Sequence, residues 1–371
     1  MRKLASTRQI SELNPILGAD LIEAATVDGW QVVVKRGEFA VGDIVVYLEI
    51  DSWVPTDLAE FLSKGREPRE YNGVKGERLR TIRLRGQVSQ GLIINLNDAE
   101  LRSTLVKNNS VNLSSLTEIG LDLTDDLGIQ KWEAPISAQL QGKARGNFPS
   151  SLIPKTDEER IQNCFGNIQN RDGKSLTKKI WNAELQLVEE YAAVLPDDFL
   201  KPTYEVTMKL DGSSMTLFRW EDQLRVCSRN LELIIDDENA GNSFVAMAMT
   251  MGDMVPNGFA FQGELMGPGI QGNREGFSKH RFFVFNIVDI AQYRYLGAVE
   301  RRALCTLMGF EHTPVYHEAM HAPNSVVEGL ALAEGPSINH KIREGLVWKC
   351  LEDPGFSFKT ISNQYLLKSE L

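Results

Sequence analysis

The stretch Tyr204–Phe218, YEVTMKLDGSSMTLF, places one lysine inside a run of apolar residues. Lys209 follows Met208, and Asp211 and Gly212 come shortly after it. The alternating apolar residues predict a β-strand, and the Asp-Gly-Ser sequence behind the lysine predicts a turn. Burial and neighbouring charges can lower the pKa of a lysine in this position and make its amine a nucleophile. The same short pattern also fits a solvent-exposed strand lysine before an ordinary turn. The rest of the sequence is needed to distinguish a nucleophile from a surface lysine.

Composition limits the class of protein. The chain has 371 residues, enough for two domains, and its 42% hydrophobic and 24% charged content is typical of a globular protein. A net charge of −10 argues against a generally basic nucleic-acid coat but leaves room for a local basic groove. The four cysteines are scattered without a CxxC pair, which predicts neither a disulfide scaffold nor a zinc site but a reducing compartment.

The N-terminus and the hydrophobic runs indicate where the protein resides. The first ten residues, MRKLASTRQI, lack the apolar core of a signal peptide. No stretch of the sequence approaches the length of a membrane span. We therefore expect an intracellular protein, cytoplasmic or nuclear, with no membrane partner.

Residues 1–98 have an all-β pattern. Short β-branched runs at Trp30–Lys35 and Ile44–Ile50 are separated by glycine turns. A basic segment follows, whose eight cationic residues are Lys64, Arg66, Arg69, Lys75, Arg78, Arg80, Arg83 and Arg85. Short strands with a basic face predict a small barrel of the oligonucleotide-binding (OB) type. A charged edge strand that resists aggregation is the alternative, but the density of positive charge in so acidic a chain favours nucleic-acid contact.

The remainder is predicted to be a linker over residues 99–147 and an α+β domain with an antiparallel sheet over residues 148–371. The first segment is rich in Ser, Asn and Asp and has weak helical periodicity. In the second, capping-box patterns predict helix starts at Thr156 and Ser325, and a helix is predicted over 176–195. Strands alternate with these helices to the end of the chain.

Six short motifs follow one another in this second part. They are KLDGSS at 209–214, SRN at 228–230, FQGELMGPGIQGN at 261–273, RFFVFNI at 281–287, EGLVWK at 344–349 and FSFK at 356–359. Each charged residue taken alone has an ordinary structural explanation. In this order, the series resembles the motifs of the covalent nucleotidyltransferases: ATP-dependent RNA ligases, DNA ligases and mRNA capping enzymes. The match is closest to the RNA ligases and spans residues 148–371.

The position of the β domain narrows the resemblance. DNA ligases and capping enzymes carry an OB domain after the last motif, whereas only twelve residues follow Lys359 here. The arrangement resembles the ATP-dependent RNA ligases that have an N-terminal OB domain and a C-terminal nucleotidyltransferase domain. This resemblance implies the joining of RNA 3′-OH and 5′-phosphate ends, typically at nicks in duplexes.

The resemblance also implies roles for the reactive residues. Lys209 would accept AMP from ATP, and Arg229 and Lys359 would bind the nucleotide phosphates. Asp211, Glu264 and Glu344 would hold Mg²⁺ or Mn²⁺, largely through bound water, and Glu264 could also reach the ribose hydroxyls.

The nucleotide base has its own predicted contacts. Phe282 and Val347 would sandwich the adenine, while the backbone beside Lys209, at Met208 and Gly212, would read its edge. Met208 replaces a glutamate found in many relatives, a change without consequence if the contact comes from the backbone.

The last motif departs from the family pattern. Many relatives have two lysines separated by one residue, whereas Ser357 stands at the first position here and Lys359 at the second. The phosphate contacts would then be fewer, or Lys349 would contribute. Arg160 and Gln162 lie upstream of the nucleophile, where relatives place phosphate and nucleic-acid contacts, and complete the set of candidates.

Two other functions stay open at this point. One is a different covalent nucleotidyltransferase, such as a DNA ligase or capping enzyme. The other is a non-catalytic protein that binds RNA ends, although the lysine and all three acids are present. The sequence does not indicate an oligomeric state, so a monomer is the default expectation.

Overall fold

The computed structural model describes residues 3–108, 113–133, 142–169, 177–182, 187–193 and 199–369. The chain divides into two compact units. The first is Met1–Ala134, together with Phe165–Arg171 and Leu366–Leu371, and the second is Pro135–Cys164 with Asp172–Tyr365.

The described part of the first unit is mostly β-structure. Its strands are β1 Ala5–Ile16, β2 Ala19–Val27, β3 Trp30–Lys35, β4 Ile44–Leu48, β5 Ser52–Pro55, β6 Arg69–Tyr71, β7 Val74–Arg78, β8 Thr81–Leu84, β9 Gln87–Gln90, β10 Leu92–Asn95 and β11 Gln130–Lys131. One α-helix, α1 at Ala99–Asn108, follows β10.

The long strand β1 gives the first unit its curled sheet. Its first half, Ala5–Gln9, pairs with β4, and from Ile10 onward it pairs with β2, with a register shift where the partner changes. The strand order of this sheet is β10-β4-β1-β2-β3, and a second sheet has the order β11-β5-β7-β6. A strand that bends at a bulge and serves two partners curves a sheet toward closure. The predicted OB-like β domain is confirmed.

Part of the predicted linker belongs to the core of the first unit. Leu101 and Leu105 of α1 are fully buried, and Leu116, Leu123 and Leu127 pack into the same cluster as the apolar residues of β4. The leucines that this packing uses lie between polar residues, which is why the helical pattern is weak in the sequence. Residues 99–108 and 113–129 therefore carry more structure than a linker.

The second unit contains the remaining elements. Its strands are β12 Ala144–Asn147, β13 Glu159–Arg160, β14 Thr177–Asn182, β15 Leu187–Ala193, β16 Thr203–Lys209, β17 Ser213–Trp220, β18 Gln223–Cys227, β19 Leu231–Leu233, β20 Phe259–Met266, β21 Arg281–Asp289, β22 Arg294–Tyr295, β23 Glu311–His312, β24 Val315–His321, β25 Gly345–Cys350 and β26 Ser357–Ile361. Its helices are α3 Ser243–Met251, α4 Ala298–Met308 and α5 Val326–Ala333. Two further helices, α2 Ile161–Gln169 and α6 Asn363–Ser369, run across the boundary between the units.

Two mainly antiparallel sheets position the site. One has the order β12-β19-β18-β17-β20-β21-β22, with β23 beside β21, and the other has the order β13-β26-β25-β16-β24. The short segment 210–212 connects β16 of one sheet to β17 of the other. The predicted α+β class is confirmed, and the Lys209 motif lies where the chain passes between the sheets.

Two helix predictions differ from the structure, and one agrees. The helix predicted from Thr156 begins at Ile161, because Glu159 and Arg160 first pair as a parallel strand with β26. The helix predicted over 176–195 is wrong in its described part, where β14 and β15 pair antiparallel; pairing overrides helix propensity there. The cap predicted at Ser325 is confirmed, since its Oγ accepts the Glu328 N–H at 3.1 Å.

Among the described residues, no helix is both long and apolar enough to serve as a membrane span.

Candidate functional site

Lys209 is the last residue of β16 and pairs with Gly345 of β25. The next strand starts after a tight passage at Gly212. A Cβ at this glycine would lie 2.5 Å from the Leu265 carbonyl oxygen, so a larger residue does not fit. Its N–H donates to Glu264 Oε1 at 3.1 Å. The glycine thus brings the lysine motif against β20 and its acid.

An ion pair joins the lysine to the acid that precedes β25. Lys209 Nζ lies 2.7 Å from Glu344 Oε1, and the two side chains are 25% and 15% exposed. Burial by itself lowers the pKa of Lys209, but the negative charges of Glu344 and Glu264 outweigh it and the pKa lies above its usual value. The amine is protonated in this arrangement.

The other two acids are crowded by negative charge. Burial, with a contribution from Glu344, raises the pKa of Asp211 to about 6. Burial also raises the pKa of Glu264 to about 8; Lys209 opposes this shift, and Glu344 and Asp211 add to it. Three carboxyl groups therefore share one ammonium group, which leaves the cluster short of positive charge.

This acid cluster suits a divalent cation. Its donors are all carboxylate oxygens, which Mg²⁺ and Mn²⁺ prefer. Within the described ranges, no group of three His, Cys, Asp or Glu side chains is arranged to hold a metal ion directly. The raised pKa values of Asp211 and Glu264 show that added positive charge would stabilise their ionised forms. The donor types of Asp211, Glu264 and Glu344 therefore fit a divalent cation, and a metal there would be held largely through bound water.

Two residues that the sequence did not single out hold Asp211 in place. Arg274 Nη1 lies 3.6 Å from Asp211 Oδ2, and the Tyr365 hydroxyl donates a hydrogen bond to the same carboxylate. The guanidinium also stacks on the Tyr365 ring, 4.7 Å from its centre. Arg274 follows the glycine-rich part of the third motif, which was its only signal, and Tyr365 comes after the last motif.

The two predicted phosphate-binding cations converge on one acid. Arg229 Nη2 lies 3.9 Å and Lys359 Nζ 3.5 Å from the same oxygen, Oδ1 of Asp157. Arg160 pairs in parallel with Lys359 and is buried, as is Gln162 on α2. Sequence analysis treated the segment around Asp157 only as a helix start and missed this contact.

Lys349 is committed to a different contact. Its Nζ donates to the Phe285 carbonyl oxygen and to Asn286 Oδ1. Burial, with the nearby charge of Arg301, lowers its pKa well below the usual value. Lys349 therefore bridges β25 to β21 and does not replace the lysine missing at Ser357.

The aromatic strand β21 presents a different ring from the predicted one. Phe282 is 2% exposed and lies in the hydrophobic core, edge-on to Phe310. Phe285 is partly exposed, and Lys349 Nζ lies 5.4 Å from its ring centre. Val347 shares a face of β25 with Lys349, because the two are separated by one residue. Phe282 is thus enclosed in the core, whereas Phe285 lies beside Lys349, on whose face of β25 Val347 also stands.

The site defines a class of protein. The site lies between two mainly antiparallel sheets. It combines a lysine at a strand end with three nearby acids and two cations that could bind phosphates. These are the groups that a covalent nucleotidyltransferase uses. Met208 adds its backbone N–H bond to the Pro314 carbonyl at 2.9 Å, which anchors the strand beside the lysine.

Comparisons with known proteins identify the family. A family model described as RNA ligase matches residues 202–361, and one described as an OB-fold domain matches residues 4–96. No curated protein matches the chain. A solved structure of a Naegleria gruberi RNA ligase mutant with AMP and Mn is 39% identical, with 98% of each chain covered and a TM-score of 0.79. A mutant of the same ligase with ATP and Mn gives the same values.

A third structure, the Naegleria gruberi RNA ligase with PPi, is 39% identical, covers 99% of this chain and 98% of its own, and has a TM-score of 0.78. The chain belongs to the RNA ligase family. It is an ATP-dependent RNA ligase with an OB-fold domain in front of its nucleotidyltransferase domain.

Proposed function

We propose that this ligase joins 3′-OH and 5′-phosphate RNA ends at nicks in duplexes, through an AMP carried on Lys209. The observation that carries the proposal is the position of the amine, 2.7 Å from Glu344 and within the electrostatic reach of Glu264. The similar Naegleria gruberi structures with ATP, AMP, PPi and Mn support ATP as the substrate and Mg²⁺ or Mn²⁺ as the cofactor.

In the first step, Lys209 Nζ attacks the α-phosphorus of ATP. An N–P bond forms, the bond from the α-phosphorus to the bridging oxygen breaks, and pyrophosphate leaves. The ammonium must first lose a proton, and Glu344 Oε1 lies within hydrogen-bonding distance to accept it. A divalent cation held near Asp211, Glu264 and Glu344 would supply positive charge that lowers the lysine pKa and offsets charge on the phosphates.

The cations of the site stabilise the charge that develops. Arg229 and Lys359, which now face one carboxylate oxygen, would bind the outer phosphates of ATP. Lys359 is 11% exposed, so its charge acts where water is largely excluded.

The adenine is proposed to bind beside β21 and β25. Phe285 supplies an aromatic face and Val347 an apolar surface on the opposing strand. Stacking of a base on an aromatic ring is worth about 1–3 kcal/mol.

The two later steps return the lysine to its starting form. A 5′-phosphate oxygen of the RNA attacks the AMP phosphorus, the N–P bond breaks, and the lysine regains its proton. The RNA 3′-OH then attacks the activated 5′-phosphorus, a phosphodiester bond forms, and AMP leaves. Both steps depend on positioning and on charge stabilisation by the same side chains.

A hairpin of the first unit supports contact with RNA. Strands β8 and β9 are joined by Arg85 and Gly86, whose φ values of +48° and +86° fit a tight two-residue turn. Arg83 and Arg85 are exposed and, within the described ranges, have no acidic partner. By contrast, Arg69 pairs with Glu77. The hairpin thus presents the uncompensated charge that binding to phosphates requires.

Two further parts of the proposal concern the cellular compartment and the oligomeric state of the enzyme. All four cysteines are buried and not in disulfides, as expected in a reducing compartment, so we place the enzyme in the cytoplasm or nucleus. We also propose that the monomer is the active form.

A panel of nicked duplexes, with RNA or DNA on each side of the nick and in the template, tests this function. We expect sealing where RNA provides the 3′-OH end and none at an all-DNA nick. Arg83→Ala with Arg85→Ala should weaken sealing and lower the slope of RNA affinity against salt by about 1–2, with lysine labelling unchanged. Arg69→Ala is the matched control and should change neither.

Equal sealing of all-DNA nicks, or transfer of label from GTP in place of ATP, would contradict the assignment. The first result indicates a DNA ligase and the second a capping enzyme.

A further inference from the structure

The segment that precedes β13 carries two acids into the nucleotide site. Residues 154–158 form no regular element. Asp157 faces Arg229 and Lys359 through a single oxygen, Oδ1. The charge of the adjacent Glu158 contributes to the raised pKa of Lys209 and opposes the lowered pKa of Lys349. A built-in anion therefore lies where the outer phosphates of ATP are proposed to bind.

The contacts of Asp157 can be exchanged. Its Oδ1 lies 3.9 Å from Arg229 Nη2 and 3.5 Å from Lys359 Nζ, distances at the long end of the ion-pair range. Arg229 is 48% and Asp157 40% exposed, so solvent screens the attraction between these two side chains, and such exposed pairs contribute little free energy. Lys359 is 11% exposed, so its pair with Asp157 is screened less. A phosphate group has more charge and more acceptor oxygens than a carboxylate, so it can displace Asp157.

We propose that Asp157 is a positioning residue that acts as an internal counter-ion for the phosphate site. In the free enzyme it holds Arg229 and Lys359 at one anion position and offsets their mutual repulsion. ATP displaces it, and it pairs with the two cations again when pyrophosphate leaves.

This inference rests on the proposed function, because only lysine adenylylation produces pyrophosphate at this site. If Asp157 competes with pyrophosphate for Arg229 and Lys359, it limits the affinity of the enzyme for pyrophosphate. A tightly held product would favour the reverse reaction, in which pyrophosphate removes AMP from the lysine.

The test is direct binding of inorganic pyrophosphate, with Mg²⁺ present, to the full-length enzyme without ATP or RNA. Asp157→Asn keeps the size of the side chain and removes its charge. We expect the Kd for pyrophosphate to fall about three- to tenfold, the range given by exposed ion pairs. Asp157→Ser should give the same direction of change, and Asp157→Glu should stay close to wild type.

Asp222→Asn is the matched control. Asp222 is exposed, lies in the same unit and has a left-handed φ of +60° that asparagine tolerates. The Kd of the Asp222→Asn variant for pyrophosphate should equal that of wild type. Unchanged or weaker binding in Asp157→Asn, or equal tightening in Asp222→Asn, would overturn the proposal. The assay requires no adenylylation, so failure of Lys209 to accept AMP would be seen separately.

Discussion

Lys209 holds a proton that its proposed reaction requires it to lose. The pKa of its amine is raised because Glu344 and Glu264 outweigh burial. Burial and the same crowding raise the pKa of Glu264 to about 8, so near neutral pH that carboxyl also keeps its proton. A cation bound at the acids would reverse both preferences by favouring carboxylates and a neutral amine. The carboxyl groups around Lys209 thus favour the binding of positive charge before the reaction.

A pH dependence of stability follows at the scale of the residue. The pKa of Glu264 is higher in the folded protein than in the unfolded chain, so its favourable contribution is present at low pH and is lost as pH rises toward about 8. Glu264→Gln removes this titration. In the presence of a chelator, the Tm of the variant relative to wild type should rise by about 2–6 °C between pH 6 and pH 8.5.

Thermal unfolding of both proteins across this pH range is the measurement. Glu221→Gln, at an exposed position of the same unit, should track wild type at every pH. A difference between Glu264→Gln and wild type that is constant, or that shrinks with rising pH, would show that Glu264 is ionised throughout.

At the scale of the element, the register of β21 explains why Phe282 lies in the core and Phe285 does not. Gln262 pairs with Asn286 and Gly263 with Val284, so Phe285 is an extra residue in β21. The bulge moves Phe285 and Asn286 to the side of Lys349, while Phe282 stays in the core. The motif RFFVFNI predicted an aromatic strand correctly. Residue types alone do not reveal where a bulge shifts the alternation.

Substitutions in β21 should separate nucleotide binding from folding. Phe285→Ala removes the proposed stacking surface and should raise the KM for ATP in lysine adenylylation about tenfold, with little change in Tm. Phe282→Leu should lower the Tm and leave KM unchanged, because its ring packs in the core. Measurement of KM and Tm for both variants shows which of the two rings contacts the nucleotide. A KM effect confined to Phe282→Leu would restore the original prediction.

Other site residues also differ in whether the sequence alone predicts them. Lys209, Glu264 and Glu344 could be predicted because the motifs that the chain resembles give their types and their order. Asp157 and Tyr365 act through contacts with residues far away in sequence, and no local pattern marks them. The capping-box pattern at Thr156 was a true local signal, but pairing with β26 holds the chain extended through Arg160.

At the scale of the whole molecule, the sequence predicted the order of the two parts and the class of each. It did not predict which residues after the β-strands complete the hydrophobic core of the first unit. Residues 99–129 look like a polar linker, yet five of their leucines, from Leu101 to Leu127, are buried in the core of the first unit. Sparse leucines in a polar segment contribute to a core only when the sheet beneath them is formed, so their role follows from tertiary packing and not from periodicity.

The account as a whole depends on the covalent attachment of AMP to Lys209. The most direct measurement is incubation of the full-length protein with ATP labelled at the α-phosphate and Mg²⁺ or Mn²⁺, followed by denaturing separation and peptide mapping. We predict one labelled site, at Lys209, that is lost in Lys209→Ala and removed from wild type by added pyrophosphate. Label that persists in Lys209→Ala, or no covalent label on wild type with either metal, would contradict it.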